Sequence, residues 1–141
     1  MLQLIIGEKG KGKTKVLLEK ANQEIKNANG NIVYLDKSSQ HMYELNNKVR
    51  LIDVTTFPVR GFDAFVGFIC GIISQDHDLE QMYLDSFLTL AGLEGQEDNI
   101  EGALDKLEMI SRKYDVNFVI SISVTAPQVP DKMKDCIIAE L

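Results

Sequence analysis

The sequence predicts one α/β domain spanning residues 1–141: a three-layer α/β/α sandwich with a mostly parallel sheet of five or six strands. Short segments that are apolar throughout alternate along the chain with longer segments whose apolar residues recur at helical spacing. Such strands are typical of parallel sheets, because the connecting helices cover both faces of the sheet. A length of 141 residues with 45% hydrophobic content is enough for one domain with its own core.

The first part of the chain predicts three strands and a helix. The strands are the apolar runs LQLII (2–6), NIVYLD (31–36) and VRLIDV (49–54). The helix is expected from Thr14 onward, with Gly30 as its stop signal. Its buried face would carry Leu17, Ala21, Ile25 and Ala28. The polar segment 37–48 is ambiguous, with room for a short helix.

The segment 62–76, FDAFVGFICGIISQD, has the length of a helix but is apolar on nearly every side. Its large apolar residues exceed what one stripe of about 100° can hold. We expect this helix to be largely hidden from water, with Phe65, Ile69 and Ile72 or their immediate neighbours on the sheet. The other apolar side chains would lie beneath a neighbouring helix or the 37–48 segment, or form an exposed patch for self-association or a partner protein.

The last part of the chain predicts three more strands and one long helix. The strands are LEQMYLDS (79–86), NFVISISV (117–124) and CIIAEL (136–141). The polar, glycine-rich segment 92–98 is expected to be a loop, and Asp98 is a candidate N-cap for the helix that follows. That helix, over residues 99–115, would bury Ile100, Ala103, Leu104, Leu107 and Ile110.

Composition excludes several classes of protein. No stretch approaches the ~20 apolar residues that a membrane span needs, and the opening segment does not have the pattern of a signal peptide. Cys70 and Cys136 are far apart and outside any metal-ligand spacing, which predicts free thiols in a reducing compartment. We therefore expect a cytoplasmic protein that does not associate with membranes. His41 and His77 are isolated and are expected to be surface or loop residues.

The stretch GEKGKGKT has the pattern of a phosphate-binding loop, or P-loop. Gly7, Gly12, Lys13 and Thr14 fit GxxxxGK[ST], with a predicted strand before them and a predicted helix after them. Glycine takes the backbone conformations that turn N–H groups inward, and Gly10 adds a third such position. The helix beginning near Lys13 directs its unpaired N–H groups and the positive end of its dipole at the same anion. Lys13 would reach the β- and γ-phosphates, and the Thr14 hydroxyl would bind Mg²⁺.

The charge distribution favours a small polyanion as the ligand. Lys9, Lys11, Lys13 and Lys15 against Glu8 give residues 8–15 a charge of +3, whereas the whole chain carries −6 and the remainder therefore −9. A long nucleic acid would need a broad basic surface, so we expect a nucleoside triphosphate such as ATP. The three lysines other than Lys13 either help to screen the phosphates or form a solvated charge run. Glu8 is expected to face solvent or a neighbouring subunit.

Two aspartates are candidates for the acid that holds Mg²⁺, often through water. Asp85 ends the apolar run of the fourth strand, 72 residues beyond Lys13, and Asp36 ends the second strand. In a parallel sheet both would lie at the same edge as the P-loop. Either residue could instead form the turn that follows its strand.

From residue 1 to about residue 125 the chain resembles the RecA-like branch of P-loop ATPases. The matching pieces are LQLIIGEKGKGKT, NIVYLD, RLIDV, MYLDSF and FVISISV. The resemblance implies that Asp85 is the Walker B acid and that Ser121 or Ser123, of which we prefer Ser123, senses the γ-phosphate. It also implies that strand 117–124 lies between strand 2–6 and strand 79–86. The chain is similar as well to small bacterial P-loop proteins labelled ATP-binding or twitching motility (PilT-like), from which we adopt the nucleotide site and not the motility role.

An active ATPase also needs a group that orients or deprotonates water, often a Glu. No Glu follows the second strand, where the chain has Asp36, and Ser86 follows Asp85. Asp36 is the substitute general base, or else a turn former. Arg50, Arg60 and Arg112 stand in no context that indicates an arginine finger. We therefore expect a slow ATPase that is activated by assembly or by a partner. The alternatives are a nucleotide-binding regulator without turnover and a small-molecule or nucleoside kinase.

Overall fold

The computed structural model describes residues 1–141, which form an α/β fold around one six-stranded sheet. Residues 2–6, apolar except for one position, form the first strand, and the helices carry the apolar periodicity expected of them. The elements in chain order are β1 (Leu2–Ile6), α1 (Lys13–Glu24), β2 (Asn31–Asp36), β3 (Val49–Asp53), α2 (Phe62–Gln75), β4 (Leu79–Leu84), α3 (Phe87–Leu90), α4 (Glu101–Tyr114), β5 (Asn117–Ile122) and β6 (Ile137–Glu140).

Every strand pair in the sheet is parallel, and the strand order is β3-β2-β4-β5-β1-β6. The expectation that β5 lies between β1 and β4 is confirmed. Ile6 pairs with Ile122, and Leu35 pairs with Leu84. The segments that follow β1, β2, β4 and β5 therefore leave the sheet at one edge, which is where ligands bind in open parallel sheets.

Helices cover both faces of this sheet. Along β1, Leu4 and Ile6 belong to one buried apolar cluster and Ile5 to another, so the clusters lie on opposite faces. The larger cluster contains the buried residues of α2, α3 and α4, whereas the smaller contains those of α1. This arrangement agrees with a three-layer α/β/α sandwich. No helix is long and apolar enough to cross a membrane.

The outer face of α2 is more exposed than the sequence predicted. Phe65, Ile69 and Ile73 are buried against the sheet, at intervals of four residues, and Ile72 is only half-buried. Phe68 packs on the ring of Phe57, with the ring centroids 5.4 Å apart. The outer face of α2 therefore contacts the segment after β3, whereas Leu45 of the 37–48 segment packs in the cluster on the other face of the sheet.

Several boundaries also differ from the predicted ones. The short helix α3 was not predicted, since four residues are too few for a periodic signal. Within the ambiguous segment 37–48, residues Met42–Glu44 form one turn of 3₁₀-helix. Asp98 does not cap α4, which begins two residues later than expected with Ile100 in the cap position. The Asp98 carboxylate instead accepts a hydrogen bond from Gln128 Nε2 at 3.2 Å.

Candidate functional site

A glycine-rich loop joins β1 to α1 at the ligand-binding edge of the sheet. Gly10 has a φ of 81° and Gly12, the N-cap of α1, has a φ of 93°. These values lie in the left-handed region, which side-chain-bearing residues adopt at a cost. A Cβ at either position would meet no atom within 4 Å. The glycines are therefore needed for the backbone conformation and not for space.

The N-terminus of α1 opens onto this loop without a neutralising group. No side chain caps it, and its first turn contains no acidic residue. The first N–H groups of a helix lack partners within the helix, and they carry the positive end of its dipole. An anion bound between the loop and the helix would accept hydrogen bonds from these groups.

Lys13 is the one lysine among the buried residues of the chain, with 8% of its surface exposed. Its ammonium group donates a hydrogen bond to the carbonyl oxygen of Glu8 at 2.9 Å. Burial lowers the pKa of Lys13, the positive charge of Lys9 lowers it further, and the negative charge of Asp85 opposes both effects. An anionic ligand beside this lysine would favour its charged form and so raise its pKa again.

Asp85, directly after β4, is held by three hydroxyl groups. Its Oδ2 accepts a hydrogen bond from the Tyr34 hydroxyl at 2.8 Å. Its Oδ1 accepts from Ser121 Oγ at 2.8 Å and from Thr14 Oγ1 at 3.2 Å. Ser121 Oγ in turn accepts from the backbone N–H of Ser86 at 2.9 Å. The structure therefore brings Thr14 and Asp85 together, as the sequence predicted, although they are far apart in the chain.

Asp36, at the end of β2, lies beside Asp85 but has fewer hydrogen-bond donors around it. The side chain is 3% exposed, and its Oδ1 accepts the backbone N–H of Lys37 at 2.7 Å. Its Oδ2 is the one buried side-chain oxygen or nitrogen of the chain without a hydrogen-bond partner. Burial raises the pKa of Asp36 to about 6, and the negative charge of Asp85 adds to the effect. Asp36 does not line the cleft described below.

Because Asp36 is buried, we expect the stability of the fold to fall as the pH rises from 4 to 7. Its pKa rises from 3.8 in water to about 6 in the fold, so the folded chain keeps a proton that the unfolded chain releases. The contribution of Asp36 to stability is therefore full below pH 4 and is lost as the pH rises through 6. The free energy of unfolding can be measured by chemical denaturation at several pH values. Asp36→Asn should remove the part of its pH dependence that comes from Asp36. An unchanged pH dependence would contradict the raised pKa of Asp36.

A polar cleft of about 480 Å³ lies over the carboxyl ends of β1, β4 and β5. The glycine-rich loop, Lys13, Thr14 and Asp85 form one wall. The other walls come from the segment after β2, from α3 and from the 92–98 loop, and the one apolar residue in the lining is Leu88. A polar lining of this kind fits a charged ligand better than an apolar one.

The predicted site residues divide into those that reach the cleft and those that do not. Lys9 lines it, whereas Lys11 and Lys15 are exposed outside it. Gly7 is buried, donates its N–H to the carbonyl of Val124 at 3.1 Å, and does not line the cleft. The side chain of Glu8 faces solvent, as expected. Ser121 and Ser123 both line the cleft. The Ser121 hydroxyl donates its hydrogen bond to Asp85, whereas Ser123 is half-buried.

Several residues around the cleft were not predicted from the sequence. Lys37, Glu94 and Glu97 line it, and Tyr34 supports Asp85 from beneath. The loop 92–98 could have been placed here, because it follows β4 and so leaves the sheet at the same edge as the glycine-rich loop. No group of three or more His, Cys, Asp or Glu residues that could hold a metal ion is found.

Comparison with known proteins adds no family to this picture. No protein-family model matches the sequence, and no curated protein is significantly similar to it. The chemistry of the site follows from its own residues and geometry.

Proposed function

We propose that the chain binds a nucleoside triphosphate, with ATP as the first candidate, through a P-loop formed by residues 7–14. The observation that carries this proposal is the convergence of three anion-binding features on one polar cleft. These features are the left-handed glycines, the uncapped N-terminus of α1 and the buried ammonium group of Lys13. Backbone N–H groups, a helix dipole and a lysine together suit a chain of phosphates.

The oxygen atoms of Thr14 and Asp85 fit a magnesium ion bound together with the nucleotide. Mg²⁺ prefers hard oxygen ligands and is usually held by one or two protein groups plus phosphate oxygens and waters. Thr14 Oγ1 lies 3.2 Å from Asp85 Oδ1 at the wall of the cleft. When bound, Mg²⁺ would neutralise charge that develops on the β- and γ-phosphate oxygens.

For activity, we propose slow hydrolysis that depends on assembly or on a partner. Glu94 and Glu97 line the cleft and could orient water, whereas Asp36 does not line it. No arginine lines the cleft. A stabilising arginine contributes a factor of roughly 10³ to 10⁵ to phosphoryl transfer, so a lone chain without one should be slow. A second copy or another protein would supply the missing cation.

Phosphate release measured over a range of protein concentrations tests this activity. Dilute protein should turn over at less than about 1 s⁻¹, below the range of ordinary enzymes. The rate per chain should rise as the protein is concentrated. Faster turnover by the dilute protein would contradict the proposed dependence on a partner. Transfer of phosphate only to an added hydroxyl acceptor would favour a kinase, and binding without any release would favour a regulator.

A further inference from the structure

We propose that Tyr34 is a positioning residue for the metal site, whose hydroxyl holds the Asp85 carboxylate in the orientation that Mg²⁺ requires. This inference rests on the proposed nucleotide binding and adds to it a residue that determines which cation the site accepts. Tyr34 lies on β2 and not on the P-loop or on the strand that carries Asp85. Its role is therefore visible only in the folded chain.

The contact between the two residues is buried and specific. Tyr34 has no exposed surface, and its hydroxyl donates to Asp85 Oδ2 at 2.8 Å. A hydrogen bond to a charged acceptor is stronger than one between neutral groups. Rotation of the carboxylate would leave the buried Tyr34 hydroxyl without a partner, which is unfavourable. This hydroxyl on Oδ2, together with that of Ser121 on Oδ1, therefore restricts Asp85 to one orientation.

In that orientation the two carboxylate oxygens have different partners. Oδ2 is occupied by Tyr34, whose side chain packs in the apolar cluster on the α1 side of the sheet. Oδ1 accepts hydrogen bonds from Ser121 and from Thr14, both of which line the cleft, and Thr14 is the second proposed ligand of Mg²⁺. With Oδ2 held from within the protein, Oδ1 is the oxygen presented to a cation beside Thr14.

The ring of Tyr34 is itself held in place. It pairs across the sheet with Tyr83 on β4, and the two rings stack with centroids 6.1 Å apart and an interplanar angle of 11°. The Tyr83 hydroxyl donates to Gln81 Oε1 at 2.8 Å and takes no part in the contact with Asp85. The chain thus contains two stacked, buried tyrosines of which one alone contacts the metal site.

A fixed carboxylate should matter more for Mg²⁺ than for Ca²⁺. Mg²⁺ demands nearly ideal octahedral geometry at short distances, whereas Ca²⁺ accepts more ligands in irregular arrangements. Loss of the Tyr34 hydroxyl should therefore weaken Mg²⁺ binding by more than it weakens Ca²⁺ binding. A loss of stability alone would not change the ratio between the two cations.

The test compares Tyr34→Phe with Tyr83→Phe, each of which removes one buried hydroxyl. Binding of a fluorescent ATP analogue is measured while Mg²⁺ or Ca²⁺ is titrated, and again in the presence of a chelator. For Tyr34→Phe we expect the half-saturating Mg²⁺ concentration to rise about tenfold, as for other residues that support a metal ligand, and that of Ca²⁺ to rise much less. Tyr83→Phe should leave both unchanged, and binding in chelator should be equal in all three proteins.

Equal changes in the two variants, or no change in Tyr34→Phe, would overturn the inference. So would wild-type protein that binds the analogue equally with and without Mg²⁺, although nucleotide binding itself would then stand. A wild-type chain that binds no nucleotide would refute the proposed function and the inference together.

If Tyr34→Phe does not fold, NMR spectra of wild-type protein with ¹³Cζ-labelled tyrosine provide the test. Mg²⁺ added to the nucleotide complex should then shift the Tyr34 resonance and not that of Tyr83. An unchanged Tyr34 resonance would overturn the inference.

Discussion

Lys13→Ala is expected to reduce the affinity for nucleoside triphosphate at least a hundredfold, which corresponds to about 3 kcal/mol. The ammonium group of Lys13 is the one buried lysine charge in the chain, and it lies at the wall of the polar cleft. Its present partner is a backbone carbonyl, so a phosphate would replace a neutral acceptor with a charged one. Calorimetric titration of both proteins with ATP and Mg²⁺ measures the difference.

Lys11→Ala is the matched control for this change. Lys11 belongs to the same loop but is exposed and does not line the cleft. Its removal should change the affinity by less than about threefold, as expected for a screened surface charge. Both variants should keep the cooperative unfolding of the parent protein. Retained affinity in Lys13→Ala, or an equal loss in Lys11→Ala, would contradict the assignment of Lys13.

Asp85→Asn is expected to raise the Mg²⁺ concentration needed for nucleotide binding at least tenfold. The substitution keeps the size of the side chain but removes the negative charge that would contact the ion or its bound water. It also places an amide where the carboxylate accepts hydrogen bonds from Tyr34, Ser121 and Thr14. The Mg²⁺ dependence of ATP binding, measured by calorimetry, reports the change.

Asp36→Asn provides the comparison, because Asp36 ends the neighbouring strand and is equally buried. Its side chain does not line the cleft, so the Mg²⁺ requirement should change by less than about threefold. Its main effect should be on stability at neutral pH. If Asp36→Asn proves to be the more metal-sensitive variant, the metal ligand is Asp36, and the assignment of Asp85 is wrong.

The sheet and one wall of the cleft could be predicted from sequence because their signals are local. The apolar runs at 2–6, 31–36 and 117–124 each contain enough residues to indicate a buried strand. Once the sheet is parallel, the residues after its strands must share an edge, which places Asp36 and Asp85 near the glycine-rich loop. The position of β5 between β1 and β4 came from the resemblance to RecA-like proteins and not from any periodicity.

The other parts of the site depend on contacts between distant segments. Tyr34 looks like any apolar residue of a buried strand, and only the pairing of β2 with β4 brings its hydroxyl to Asp85. Glu94 and Glu97 lie in a loop without periodicity, whose course over the cleft depends on tertiary packing. Asp98 has the chemistry of an N-cap, but Gln128 engages its carboxylate instead. Local propensity cannot reveal such competing partners.

Calorimetric titration of the wild-type chain with ATP, ADP and AMP, with and without Mg²⁺, tests nucleotide binding at the P-loop directly. We expect one site per chain, affinity that falls with each phosphate removed, and tighter binding of ATP when Mg²⁺ is present. GTP in the same series would show whether the base matters. Absence of saturable binding by any of these nucleotides, or equal affinity for ATP and AMP, would contradict a phosphate-binding loop at residues 7–14.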